Sequence, residues 1–239
     1  MSIGAVLDEA WTLYTKFFTR FFVLALVVFA IVNLAFALFA LALENSDGGQ
    51  AVLLGVVALA TAIVGQYWLQ GAVVFAVQDA RDGTFDSGTP EIFSRVAPFL
   101  GSLVVAGVLA GLGIGIGLIL VIVPGLFLLT IWSMLAPVIV LEGASVGEAF
   151  GRSRALVRGH GWRVFGLILV TAVLTGIAGS ILRAAFSFLP RFLEIFVGST
   201  IASAIVAPFS AIALTVAYFL LRHDTEGSGP AEAPAAGAP

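Results

Sequence analysis

Chemistry at a protein site needs side chains that ionise, attack or bind metals, and this sequence has few. Its 239 residues include 14 acidic, 11 basic and two histidine side chains, and no cysteine. Without cysteine there is no disulfide, no thiolate nucleophile and no sulfur ligand for a metal. His160 and His223 stand apart from each other and from any cluster of acids. A metal site takes three or four ligands, so each reads as a histidine near lipid phosphates. The glycines of Gly111-Leu112-Gly113-Ile114-Gly115-Ile116-Gly117 do not make a dinucleotide fingerprint. The sixth position is Ile116, and no strand precedes the run. Gly107, Gly111 and Gly115, four apart, instead predict one smooth helix face for close packing. No triad, carboxylate pair or phosphate loop stands out, so no catalytic activity is expected and no cofactor is implied.

What remains is a basic cluster and some buried polarity. Arg152, Arg154, Arg158 and Arg163 form the densest basic patch, and Arg20 holds the matching place at the entry of the first apolar stretch. Anionic headgroups attract such residues by about 1 kcal/mol each. The same residues orient a membrane protein under the positive-inside rule, and both roles can hold together. Asn33, Gln66, Gln70, Thr130 and Ser133 fall inside apolar stretches, with Gln66 and Gln70 on one face. No ionisable residue sits clearly at a stretch centre, as ion pumps and proton-coupled carriers usually require. A neutral or lipid substrate is left open.

The elements that position these residues are helices in lipid. Hydrophobic residues make up 60% of the chain and charged residues 10%, against about 25% charged in a soluble domain. Six apolar stretches, at about 18–43, 51–78, 99–123, 126–141, 164–182 and 195–221, approach or exceed the span of a bilayer as helices. The first is too long for a signal-peptide core, and Asp8 and Glu9 precede it. With the N-terminus inside, nine Lys and Arg fall on the cytoplasmic side and only Arg183 and Arg191 outside. Both termini are thus expected in the cytoplasm of a cell bearing this multi-pass protein in its plasma membrane. The second outer connection is read as a tight Pro124-Gly125 hairpin. Proline interrupts the fourth span at Pro137 and the sixth at Pro208, where the bend is a hinge or a fixed kink.

Three amphipathic segments precede the odd-numbered spans and read as helices in the inner interface. The first starts at Ser2, with Trp11 and Tyr14 as anchors; the second is capped by Thr89 with Pro90 at its first position. The third opens on a Ser145–Glu148 capping box and ends at Gly159. Ser2-Ile3-Gly4 aligns with Ser145-Val146-Gly147, and the register carries Arg20 onto Arg163. This suggests a threefold repeat of interfacial helix, span, span. The fold class is all-α: residues 1–223 form one six-span membrane domain, and residues 224–239 a disordered cytoplasmic tail rich in Gly, Pro and Ala.

One stretch is more distinctive. It holds Val123-Pro124-Gly125-Leu126, then Ala136-Pro137-Val138-Ile139-Val140-Leu141-Glu142-Gly143, Glu148-Ala149-Phe150 and Ser153. It closes on Leu156-Val157-Arg158-Gly159-His160-Gly161-Trp162-Arg163-Val164-Phe165. This resembles the membrane domain that accompanies glycerophosphoryl diester phosphodiesterases. By that resemblance Pro124, Gly125, Pro137, Glu142, Ser153, Gly159 and Arg163 match the family pattern. The diesterase of that family is a separate soluble barrel of roughly 200 residues or more, for which this chain has no room. The resemblance implies the membrane domain without the enzyme.

Three function classes follow. The first is a scaffold or partner subunit, whose partners are membrane lipids and other membrane proteins. The second is a carrier or flippase-like protein for a lipid or weakly charged solute. The third, a membrane-embedded enzyme, lacks the required groups. The net charge of −3 implies no nucleic-acid partner.

Overall fold

The computed structural model describes residues 2–45, 48–82 and 87–226. Among them all regular structure is helical. A short helix α1 (Ile3–Lys16) leads into α2 (Phe18–Asn45) and α3 (Gly48–Arg81). Next come α4 (Thr89–Val96), a 3₁₀ turn and α5 (Leu100–Leu120), then α6 (Ile122–Ile131) and α7 (Leu135–Glu142). After α8 (Val146–Val157) follow α9 (Gly161–Ala184), the single turn α10 (Arg191–Leu193), a π-helical turn at Glu194–Gly198 and α11 (Ser199–Glu226). Six of these stretches are long and apolar enough to cross a bilayer: Phe18–Asn45, Gly48–Arg81, Thr89–Leu120, Ile122–Glu142, Gly161–Ala184 and Arg191–Thr225. The chain is a polytopic helical membrane protein.

The packing is that of a protein in lipid. The buried core is rich in alanine and valine, from Val6 and Ala10 to Ala213, Val216 and Ala217. Large side chains such as Ile119, Leu120 and Val123 point outward. Where lipid is as apolar as leucine, helices associate through close contact of small residues, and that pattern is seen here.

Several expected features sit elsewhere. The turn between the third and fourth spans falls at Val121, whose φ of −154° and ψ of 128° are extended. Pro124 and Gly125 belong to the first turns of α6, where a proline costs no helical hydrogen bond because the first four N–H groups have no intrahelical partner. Gly125 serves the hairpin through its lack of a side chain. A Cβ there would lie 2.6 Å from the Leu118 nitrogen, and one on Gly117 would lie 2.9 Å from the Gly125 Cα. The predicted Gly107, Gly111, Gly115 face is corrected too. Gly107 packs against the Tyr67 ring, with no room for a Cβ, but nothing lies within 4 Å of a Cβ on Gly111 or Gly115. The close contacts of α5 are made instead by Gly107 toward α3 and, on a different side, by Gly113 and Gly117 toward α6; a Cβ on Gly113 would lie 2.7 Å from Trp132.

Short helices α1 and α8 precede the first and fifth stretches, and α4 forms the opening of the third, Thr89–Leu120. In α1 the Ser2 hydroxyl accepts from the Ala5 N–H at 3.2 Å. Tyr14 is buried rather than an exposed anchor, and its hydroxyl donates to the Ile205 carbonyl at 2.6 Å. Pro208, three residues further on, has no N–H to give the Ala204 carbonyl; the Tyr14 bond lands on the carbonyl next to that one. Helix α4 begins at Thr89 with Gly88 at the cap and no side-chain cap bond. At the other end of the chain α11 continues to Glu226, so residues 224–226, expected in the tail, are helical. The remainder of that tail lies outside the described residues.

Candidate functional site: an apolar groove and the network beside it

The distinctive stretch folds around a break. Helices α6 and α7 are separated by a turn at Trp132-Ser133-Met134. A break frees backbone groups that lipid cannot satisfy. Ser153, fully buried on α8, meets both needs. Its hydroxyl donates to the Ile131 carbonyl at 2.7 Å and accepts from the Met134 N–H at 3.2 Å. Beside it Trp132 stacks edge-on to Phe150, with centroids 5.0 Å apart.

Glu142 closes α7, and Gly143 follows with φ of 65°, a left-handed cap suited to glycine. The Glu142 carboxylate accepts from Arg152 Nε at 2.8 Å and from the Tyr218 hydroxyl of α11 at 2.8 Å. Three elements are thus tied by one largely buried acid. The Ser145–Glu148 capping box forms as expected, with the Ser145 N–H donating to Glu148 at 3.0 Å. Hydrogen bonds from Ser145 hold the Glu148 carboxyl below its ordinary range. Arg152, four residues after Glu148, turns to Glu142.

Helix α8 ends at Val157 with Arg158 as its C-cap, and Gly159 takes φ of 84°. The left-handed residue turns the chain sharply, so that His160, Trp162 and Arg163 stand at the start of α9. Between this turn and α6 lies a groove of about 900 Å³. Its wall is apolar, with Val123, Leu126, Phe127 and Phe165, and its mouth carries His160, Trp162 and Arg163. Trp162 is 86% exposed. The His160 Nδ1 is buried without a hydrogen-bond partner, while Nε2 lies 3.8 Å from Asp224.

The structure therefore divides the predicted basic group. Arg163 lines the groove. Arg154 and Arg158 are exposed on α8 and at its end, with no ion-pair partner among the described residues. Arg152 is held by Glu142. Arg20 lies at the start of α2, where its guanidinium reaches the Ser87 carbonyl at 3.4 Å, and is not among the residues lining the groove. Sequence reasoning missed Tyr218 and the groove wall, Leu126 and Phe127. Their apolar surroundings gave no signal, since their roles depend on partners distant in the chain.

Among the described residues no group of three or more His, Asp or Glu could hold a metal ion. The fold and site define a polytopic helical membrane protein with a largely apolar groove and a basic, aromatic mouth. Comparison with family models, with curated proteins and with solved structures finds no match to this chain.

Proposed function

We propose that this protein is a non-catalytic component of a cell membrane, with both termini in the cytoplasm, that holds anionic phospholipid in the groove between α6 and α9. The observation that carries this reading is the groove itself. An acyl chain fits a wall of Val123, Leu126, Phe127 and Phe165, while a phosphate headgroup fits beside Arg163, His160 and Trp162. Amphipathic aromatic rings belong at the headgroup level, and basic pockets at the edge of packed spans are headgroup sites. Arg154 and Arg158 add an attractive field next to the mouth. The likeness of residues 123–165 to a membrane domain that works beside a separate enzyme supports the non-catalytic part.

The test is lipid retention. Wild type and an Arg154→Gln, Arg158→Gln, Arg163→Gln variant would be purified from the same membranes and compared by native mass spectrometry. The variant should keep fewer anionic lipids, with zwitterionic lipids unchanged. Equal retention in a monodisperse variant would overturn the reading. Leu126→Trp, which fills the groove without touching charge, should displace lipid in the same assay.

A further inference from the structure

We propose that a second site, separate from the lipid groove, binds a small uncharged solute that both donates and accepts hydrogen bonds. It is a cavity of about 110 Å³ between α3, α7 and α11. Its polar lining is Gln66 and Gln70 on α3, Ser133 at the helix break, and Ser210 and Thr215 on α11. At 1.5 Å per residue, Gln70 and Gln66 lie about 17 and about 22 Å along α3 from Arg81, well inside the bilayer.

The lining has a definite hydrogen-bonding character. The hydroxyls have spent their donors on their own helices: Ser133 on Thr130 at 2.8 Å, Ser210 on Ala207 at 3.1 Å and Thr215 on Ala211 at 2.7 Å. They offer lone pairs only. Pro137, also in the wall, has no N–H to give the Ser133 carbonyl, which adds another acceptor. Gln66 and Gln70 have no hydrogen-bond partner among the described residues. Each offers two N–H donors and one carbonyl. Gln70 is half-buried and Gln66 is exposed at the edge of the cavity; an unpaired amide at this depth is costly wherever water is absent, and leucine at either position would be free of that cost. The amides call for an occupant with donors and acceptors of its own.

No ionisable side chain lines the cavity, so the occupant is uncharged. At about 30 Å³ per water the space holds three or four waters, or a molecule of about as many heavy atoms. A short amide fits both size and pattern. One turn beyond Thr215, the Tyr218 hydroxyl bonds to Glu142 at 2.8 Å and bridges α11 to α7 across one end. Sites at discontinuous helices near the bilayer centre are a recurring way to hold solutes in membranes, and the α6–α7 break supplies that geometry.

The cysteine-free chain permits a direct test. Single cysteines would be placed at Ser210 and Ala136 in the cavity, at Ile119 on the lipid face and at Thr12 on the exposed side of α1. The protein in nanodiscs would be labelled with a small water-soluble methanethiosulfonate. Ser210→Cys and Ala136→Cys should label, and Ile119→Cys should not. Acetamide should slow labelling at the two cavity positions several-fold and leave Thr12→Cys unchanged. Acetate, of the same shape but charged, should not protect. Adding Gln66→Leu should abolish the protection, while Gln66→Asn should keep part of it. Cavity cysteines as unreactive as Ile119→Cys would overturn the proposal in favour of a lipid-filled cleft. Fast labelling that acetamide does not slow would overturn it in favour of water alone. Neither result bears on lipid retention at the α6–α9 groove.

Discussion

Ser153 does for the broken fourth span what neither half can do for itself. It returns one donor and one acceptor to a backbone that lost both at the turn. Ser153→Ala would orphan the Ile131 carbonyl and the Met134 N–H in a buried site, and a buried unsatisfied group costs about 1–3 kcal/mol. Thermal unfolding in detergent should show a loss of that order. Ser180→Ala should stay within about 0.5 kcal/mol, because the Ser180 hydroxyl is exposed and bonds only to Gly176 of its own helix. Equal melting of the two variants would mean that the break is satisfied by other means. Resemblance singled out Ser153, Pro137 and Glu142 in the sequence, but not what they touch. Ser153 meets a carbonyl 22 positions back, and Glu142 meets a hydroxyl 76 positions on. Helical periodicity reports only neighbours three or four residues away, so such pairings leave no local trace. For the same reason Arg152 looked like a lipid ligand until its partner was in view.

Among the elements, α5 shows what spacing reveals and what it hides. Glycines four apart share a face, but spacing alone does not say whether that face meets a helix or lipid. The packed sides are set by α3 through Tyr67, and by α6 and the turn after it through Gly125 and Trp132. Gly125→Ala should therefore destabilise the α5–α6 hairpin by about 1–3 kcal/mol, as overpacking does, because the new methyl meets backbone at Leu118. Gly111→Ala should be neutral or stabilise by up to about 1 kcal/mol through helix propensity, because its Cβ meets open space. A matching loss at both sites would place a helix against the Gly111 face. The caps were more legible, since a capping box is local. Ser145 and Glu148 bond as their spacing predicts. The Glu148 carboxyl is held below its ordinary range, so its contribution is fully present above the ordinary glutamate pKa of about 4.3. It is lost as pH falls through the lowered value in the folded protein. Amide exchange at the first turn of α8 should quicken there relative to the other helix starts, and Glu148→Gln should remove that pH dependence.

At the scale of the whole molecule, lipid makes the architecture legible. Backbone groups in hydrocarbon must pair within their own segment, so six apolar stretches could be read as six helices without any knowledge of contacts. Orientation rests on charge alone, and the structure shows how the charges are arranged. Arg81 meets Glu9 at 3.2 Å, Arg95 meets Asp79 at 2.9 Å and Arg152 meets Glu142 at 2.8 Å, which ties the ends of α3, α4 and α7 to one another and to the short helices α1 and α8. The other end holds the Arg191–Glu44 pair at 3.5 Å. Pairing does not erase the asymmetry, because Lys and Arg direct insertion while acids contribute little. The basic end is therefore expected in the cytoplasm. Single cysteines test this, provided they stand on the surface; buried Ser153 is unsuitable. Asn45 and Ser187 are exposed at one end, and Thr12 and Ala155 are exposed on the short helices α1 and α8. In intact cells an impermeant maleimide should label Asn45→Cys and Ser187→Cys at once, and Thr12→Cys and Ala155→Cys only after the membrane is opened. The reverse pattern would invert the molecule, and would place the mouth of the lipid groove, with Arg163 and Trp162, against the outer leaflet.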